Sequence, residues 1–307
     1  MNRVATANND SSVLNNLMQA QVRQQAANDQ ESSQKNASDL KGYAKQAETL
    51  LATRSLQTKV DGYLAQGDQL TSRLEAQNLA LTQVADSTQS ARQAIAEALA
   101  TGRGEALMGE IASWFSSAAD SINAKYAGRY LFSGGQVDSA ATTATKITDL
   151  TAGPPIASMF QNDGLTPVSQ LDESTTIQTG FLASDIGTSV FSAFQQMQAY
   201  VEANGDFTGN LTPAQETFLQ GMLDDFDVAR STATDYAARN GLVQNRVDKV
   251  LAAQEDRKAM LEGMVGSITD ADMPLAITRL EQAQVAVQAS AQVFNMLSQS
   301  SLLGLLK

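Results

Sequence analysis

The sequence predicts a mainly α-helical protein in which long, antiparallel, coiled-coil-like arms from both termini flank a small β-rich insert. Three observations predict it. One apolar seam with seven-residue spacing runs through the first third of the chain, and a second runs through its last tenth. Between the arms, helical periodicity gives way to Gly, Ser, Thr, Asp and Pro. The expected segments are 1–42, a terminal segment; 43–130, the N-terminal arm; 131–185, an outward-facing insert; 186–266, the C-terminal arm; and 267–307, a terminal helix.

The first seam consists of Val60, Gly67, Leu74, Leu81, Thr88 and Ile95, with Tyr63, Leu70, Gln77, Val84, Ala91 and Ala98 three residues after each. Its polar layers describe one helix of a longer bundle, not an autonomous two-stranded coil. Thr101-Gly102-Arg103-Gly104 should stop it. A second helix is expected from Glu105 to Ala124, with Leu107, Ile111, Phe115, Ala118 and Ile122 on one face.

In the middle, Tyr130-Leu131-Phe132 followed by Ser133-Gly134-Gly135 reads as a strand and then a turn, and Thr175–Thr179 alternates like a strand. Gly153-Pro154-Pro155 and Asn162-Asp163-Gly164 are turn signals.

In the third segment, Thr212-Pro213-Ala214-Gln215 fits a helix cap with Pro at the first helical position. That helix should run towards Gly263, with Gly241 as its weak point. The last helix should open between Asp270 and Pro274 and carry the seam Met273, Leu280, Val287 and Phe294, with Ala276, Ala283, Ser290 and Leu297. Asp270 and Asp272 stand where a helix N-terminus favours anions. The two arms are expected to pair in an antiparallel hairpin around the insert.

Composition narrows the function. The chain of 307 residues is 43% hydrophobic but only 6% aromatic, which suits thin helix–helix seams better than a thick core. A formal charge of -12, from 21 basic and 33 acidic residues, and the lack of a basic stripe argue against nucleic acid as a partner. With no Cys and no His, disulfides, thiolate metal sites and the commonest neutral-pH base are all excluded. No cofactor, metal or catalytic residue is expected. No apolar run predicts membrane insertion, and the first twenty residues lack the apolar core of a secretory signal.

Four constellations are weighed for chemistry. The oxygen-rich stretch Ala203–Asn210 lacks the order of a calcium loop, and a plain turn is favoured. The glycines of 101–104 and 133–135 do not continue into a phosphate-binding motif. Asp224, Asp225 and Asp227 could form a carboxylate pair for glycoside chemistry, but solvated helix positions are favoured. Trp114 and Phe115, or Tyr126, Tyr130 and Phe132, could stack on a sugar, with core packing the favoured reading.

The chain ends carry apolar stripes without an obvious partner inside the chain: Val13, Leu14, Leu17, Met18 and Val22 at one end, Leu302, Leu303, Leu305 and Leu306 at the other. They read as helices that order against neighbouring copies. The expected assembly residues are Val13, Leu14, Leu17, Met18, Val22, Val287, Phe294, Leu297, Leu302 and Leu305.

Three stretches carry a resemblance. The first runs from Asn123 to Gly135 and includes Gly128, Arg129, Tyr130, Phe132 and Gly134. The second, Asn240–Val247, includes Asn245 and Arg246. In the third, Ile268-Thr269-Asp270-Ala271-Asp272-Met273 opens the last helix. In order and spacing these resemble the bacterial flagellin family, and within it the hook-associated proteins of the hook–filament junction. The family's Gly-x-Arg-Ile near the N-terminus is absent from Ser32–Asp39. The resemblance implies a secreted, non-enzymatic structural subunit of the flagellum, exported by the flagellar type III apparatus without a cleaved signal. It also implies partners: copies of itself, an adjoining hook-associated protein, flagellin and an export chaperone. Filament flagellin is the near alternative. A surface ligand-binding protein or adhesin using the β insert, and a carboxylate-dependent hydrolase, are the distant ones.

Overall fold

The computed structural model describes residues 2–153 and 155–305, with side chains for 11–153 and 155–297. Pro154 of the Gly-Pro-Pro turn signal lies outside the described residues. Among the described residues, seven α-helices follow in order: α1 (Asn2–Ser33), α2 (Ala47–Thr101), α3 (Leu107–Ile122), α4 (Asp149–Ala152), α5 (Ala183–Asn204), α6 (Pro213–Thr269) and α7 (Met273–Leu305). Two hairpins, β1–β2 (Lys125–Tyr126 with Arg129–Tyr130) and β3–β4 (Val168–Gln170 with Thr176–Gln178), are each two-stranded and antiparallel. The mainly α fold with a small β component is therefore the one expected. The first hairpin, however, precedes residue 131, because Leu131 and Phe132 turn away from the strand into the core.

The chain forms two compact units. One comprises Met1–Asp61 with Asp256–Lys307, the other Gly62–Glu255.

In the larger unit, every α2 seam position from Gly67 to Ala98 is buried. Burial on a strict seven-residue repeat keeps one face of α2 turned inward over many turns. The seam receives α6: Asn240 Nδ2 donates to the Leu74 carbonyl at 2.8 Å, and Gly67 gives Leu251 the room that a Cβ would fill. Arg92 Nε lies 2.7 Å from Asp227 Oδ1, although its N–H is not aimed at that oxygen. This half-exposed pair adds little beyond the seam.

Low aromatic content does not mean a thin core throughout. Phe115 meets Phe191 and Phe194 edge-on at 5.1 and 5.4 Å, and Phe194 meets Phe226 at 5.0 Å. These rings tie α3, α5 and α6 around the inner face of α2, with Phe132 buried among them. A whole-chain average hid this concentration, because the aromatic residues gather in one unit.

Helix limits follow their sequence signals. α2 stops at Thr101, and Gly102 takes φ +67. α6 opens with a reciprocal cap: Gln215 N–H donates to Thr212 Oγ1 at 3.3 Å, and Thr212 N–H donates to Gln215 Oε1 at 2.9 Å. α6 passes Gly241 without a break. The β3–β4 hairpin lays Leu171 and Ile177 against Leu70, Leu74 and Val247.

In the smaller unit, Leu50, Leu261 and Ile268 are buried. Lys258 Nζ reaches Asp61 Oδ1 at 2.8 Å, bridging α6 and α2. α1 and α7 pack along each other. Their direction is antiparallel, since the end of α1 and the start of α7 meet in an antiparallel bridge between Lys35 and Asp270.

The α2 seam contains one unsatisfied layer. Gln77 is 0% exposed, and neither its amide nitrogen nor its oxygen has a partner. Burying such groups costs about 1–3 kcal/mol, whereas a same-sized apolar side chain avoids that cost. Gln77→Leu should therefore raise the unfolding free energy by about 1–3 kcal/mol. Urea denaturation checks this, with the midpoint expected to rise at unchanged slope.

Candidate assembly surface

The terminal unit is organised by the crossover that joins its helices. α1 ends at Ser33, and Gln34 adopts φ 56, a left-handed exit that turns the chain back. Asn36 N–H then donates to the Thr269 carbonyl at 2.7 Å, and Ala271 N–H to the Gln34 carbonyl at 2.9 Å. Asn36 Nδ2 adds bonds to the carbonyls of Asp270 at 2.8 Å and Ile268 at 3.3 Å. Lys35 Nζ meets Asp270 Oδ1 at 2.6 Å. Tyr43 braces the next turn by donating from its hydroxyl to the Ala37 carbonyl at 2.7 Å. Lys35 and Asn36 thus close the crossover.

Beyond the crossover, α7 begins on Asp272, whose carboxylate accepts from Leu275 N–H at 3.2 Å. Asp270 and Asp272 are thus a bridge and a cap, and Met273 is half-buried at the helix start.

The α1–α7 seam corrects one expectation. The terminal helices do have a partner within the chain, namely each other. The cause is a class of residue that a search for large apolar side chains passes over. Ala20 and Ala27 in α1, and Ala276 and Ala283 in α7, each pair seven apart, are the buried positions among the described side chains of these two helices. Alanines let two helices approach closely while burying little area. All eight expected α7 seam positions, Met273 through Leu297, are buried or half-buried.

This sorts the expected assembly residues. Val13 and Leu17, with Val287, Phe294 and Leu297, are half-buried, at the spacing of the alanine seam. Leu14, Met18 and Val22 point elsewhere and are 39%, 48% and 68% exposed. On α7, Val285, Val293 and Met296 form a comparable exposed row. The side chains of Leu302 and Leu305 lie outside the described residues. The α7 row had no counterpart in the sequence reading.

The motif residues divide similarly. Ala127 and Gly128, both at positive φ, form the two-residue turn of β1–β2, pairing Tyr126 with Arg129. Gly134, at φ +68, is packed against Asp163, whose Oδ1 accepts from the Gly135 and Leu165 N–H groups at 2.8 and 3.0 Å. Those backbone bonds, Gly135's foremost, hold the exposed Asp163 carboxyl below its ordinary range. Phe132 is core, and its carbonyl accepts from Ala183 N–H at 2.9 Å, starting α5. Arg129 is exposed and Tyr130 half-buried. Asn245 and Arg246 are exposed on α6.

Two of the constellations weighed for chemistry take part in structural contacts. Residues 203–210 form a turn whose Gly209 carbonyl accepts from Gly104 N–H at 3.2 Å, with Phe207 buried and stacked on Tyr200. Asp227 pairs with Arg92, while Asp224 is exposed. Among the described residues, no group of three or more acidic side chains could hold a metal ion, and no helix is long and apolar enough to cross a membrane.

Comparison with known proteins agrees with this architecture. Residues 223–306 match the bacterial flagellin C-terminal helical region. No curated protein sequence matches the chain. Among solved structures, a Vibrio parahaemolyticus protein assigned as flagellar hook-associated is similar at TM-score 0.61 and 18% identity, over 73% of this chain and 97% of that one. Bacillus cereus FlgL is similar at 0.54 and 15%, over 71% and 99%. Xanthomonas campestris FlgL is similar at 0.55 and 14%, over 69% and 98%. The fold is therefore the FlgL fold, and the C-terminal arm is flagellin-like, as the motifs implied. Neither comparison supports an adhesin.

The crossover makes a pH prediction. The Lys35 side chain, and then Thr269, hold the exposed Asp270 carboxyl below its ordinary value. A carboxyl lowered on folding contributes stability that is present above its unfolded value of about 3.9 and lost as pH falls through the lower folded value. Backbone amide exchange at Asn36 and Ala271, corrected for intrinsic rates, should accelerate below about pH 4. Asp270→Asn should flatten that dependence.

Proposed function

We propose that this chain is a structural, non-enzymatic subunit of the bacterial flagellum, assembling at the hook–filament junction through its terminal helices. The observation that carries the reading is the incomplete α1–α7 pair. Its alanine seam leaves Val13, Leu17, Val287, Phe294 and Leu297 only half-covered, and both helices carry exposed apolar rows. Surfaces of this kind are covered by neighbours in an assembly. Head-to-tail contacts of one such surface generate an open helix of subunits. The flagellin-like C-terminal arm and the FlgL fold support a flagellar structural role in motility.

The finer parts of the reading follow from that role. The neighbours are copies of this chain, an adjoining hook-associated protein and flagellin. An export chaperone covers the apolar terminal helix before secretion. Val13, Leu14, Leu17, Met18, Val22, Val287, Phe294 and Leu297, together with Leu302 and Leu305, form the contact set. Residues 131–185 face outward.

Two experiments test this. Immunogold labelling of isolated flagella, with an antibody against residues 136–185, should give a single cluster where hook meets filament. Label along the whole filament would make the chain a filament flagellin, and an unlabelled appendage would remove the flagellar reading. The triple change Leu14→Ser, Met18→Ser, Val22→Ser should abolish incorporation while leaving helix content by circular dichroism unchanged. Normal incorporation would show that this row is not the contact.

A further inference from the structure

We propose that the larger unit carries a binding site for an acidic saccharide in the cleft between α2, the β1–β2 hairpin and strand β3. The cleft encloses about 800 Å³, within the roughly 300–1,000 Å³ of small-molecule sites. Its floor includes the buried Leu70 and Leu131, and one wall presents the half-buried rings of Tyr126 and Tyr130. The side chains of Gln66 and Gln69 are exposed along the α2 rim.

The cleft lining is positively charged. Arg73 and Arg129 both line it, and no Asp or Glu is among the described residues that do. Lys125, outside the lining, sets its Nζ 4.3 Å from the centroid of the Tyr130 ring. Arg73 is half-buried and forms no ion pair with a described residue. Burial holds its guanidinium below the ordinary arginine value. An uncompensated, partly desolvated guanidinium is an unfavourable arrangement that a bound carboxylate would relieve, through the two-pronged geometry that arginine offers. In a chain of net charge -12, two arginines lining one cleft, with no acid in that lining, mark where an anion is accepted.

The neighbouring groups indicate what carries that anion. Aromatic faces suit the apolar faces of a sugar ring, and side-chain carboxamides both donate to and accept from hydroxyls. An extended peptide would instead be read by main-chain groups along a strand edge, and β3 offers only 3 residues, Val168–Gln170. The ligand class is therefore a saccharide bearing a carboxylate. The site stands independently of the flagellar reading, because none of its residues belongs to the terminal helices.

Calorimetric titration of the full-length monomer with trigalacturonate tests the proposal, with maltotriose and hexaglutamate as controls. Saturable binding of trigalacturonate is expected, with the neutral trisaccharide weaker by about tenfold or more, the loss associated with one charge-assisted hydrogen bond. Arg73→Gln should weaken binding by a similar factor. Arg129→Gln, at an exposed position that leaves folding undisturbed, should do the same. No binding of trigalacturonate, or equal binding by both variants, would overturn the site. Hexaglutamate binding as tightly as trigalacturonate would overturn the saccharide assignment.

Discussion

The larger unit depends on one narrow strip of contact, the inward face of α2. A helix as long as α2 gains little from its own hydrogen bonds in water, and packing of an apolar face supplies most of its stability. Here that face is a two-column seam of Leu, Val, Ile and Ala interrupted by Thr88 and Gln77. Everything else in the unit is arranged to cover it: α6 along its length, α3 and α5 with their phenylalanines on one stretch, and the β3–β4 hairpin on another. The polar interruptions narrow the apolar face, so register must be supplied by particular bonds such as Asn240 to the Leu74 carbonyl. A single buried amide of this kind can select one alignment among several that pure leucine packing would tolerate.

Much of this was legible in the sequence, for physical reasons that can be named. The seven-residue repeat of α2 and the repeat of α7 are long enough to reveal their inward faces. Thr212, Pro213 and Gln215 mark a helix start by chemistry that depends on neighbours only three residues apart. What could not be read depended on distant pairing or on small residues. Nothing local tells that Lys35 will meet Asp270 across most of the chain length. The aromatic core was hidden because its rings come from widely separated helices. The cleft between α2 and the hairpins was missed for the same reason, although Tyr126 and Tyr130 had been singled out.

The candidate assembly surface was half legible. Large apolar residues near the ends announced that those helices seek a partner. That the first partner is the other terminus was concealed in alanines, which read as neutral helix formers and serve as contact points. Val13 and Leu17 therefore belong to the seam's spacing, while Leu14, Met18 and Val22 belong to the exposed row.

The weakness of the alanine seam bears on how such a subunit behaves. Apolar burial stabilises by about 25 cal/mol per Å², and a seam whose fully buried side chains, among the described residues, are alanines removes less area than the leucine seam of α2. Against that stands the ordering of some sixty residues of α1 and α7, at about 1–2 kcal/mol each for the backbone alone. Covering the exposed rows of the terminal pair with other surfaces would add to the apolar area that opposes this cost. On the proposed assembly, the net charge of -12 would oppose premature association of copies. In that proposed assembly, the half-buried Phe294 and Leu297 would lose the rest of their contact with water. The division of apolar area between a strong internal seam and a weak terminal one thus separates folding of the larger unit from commitment to the assembly.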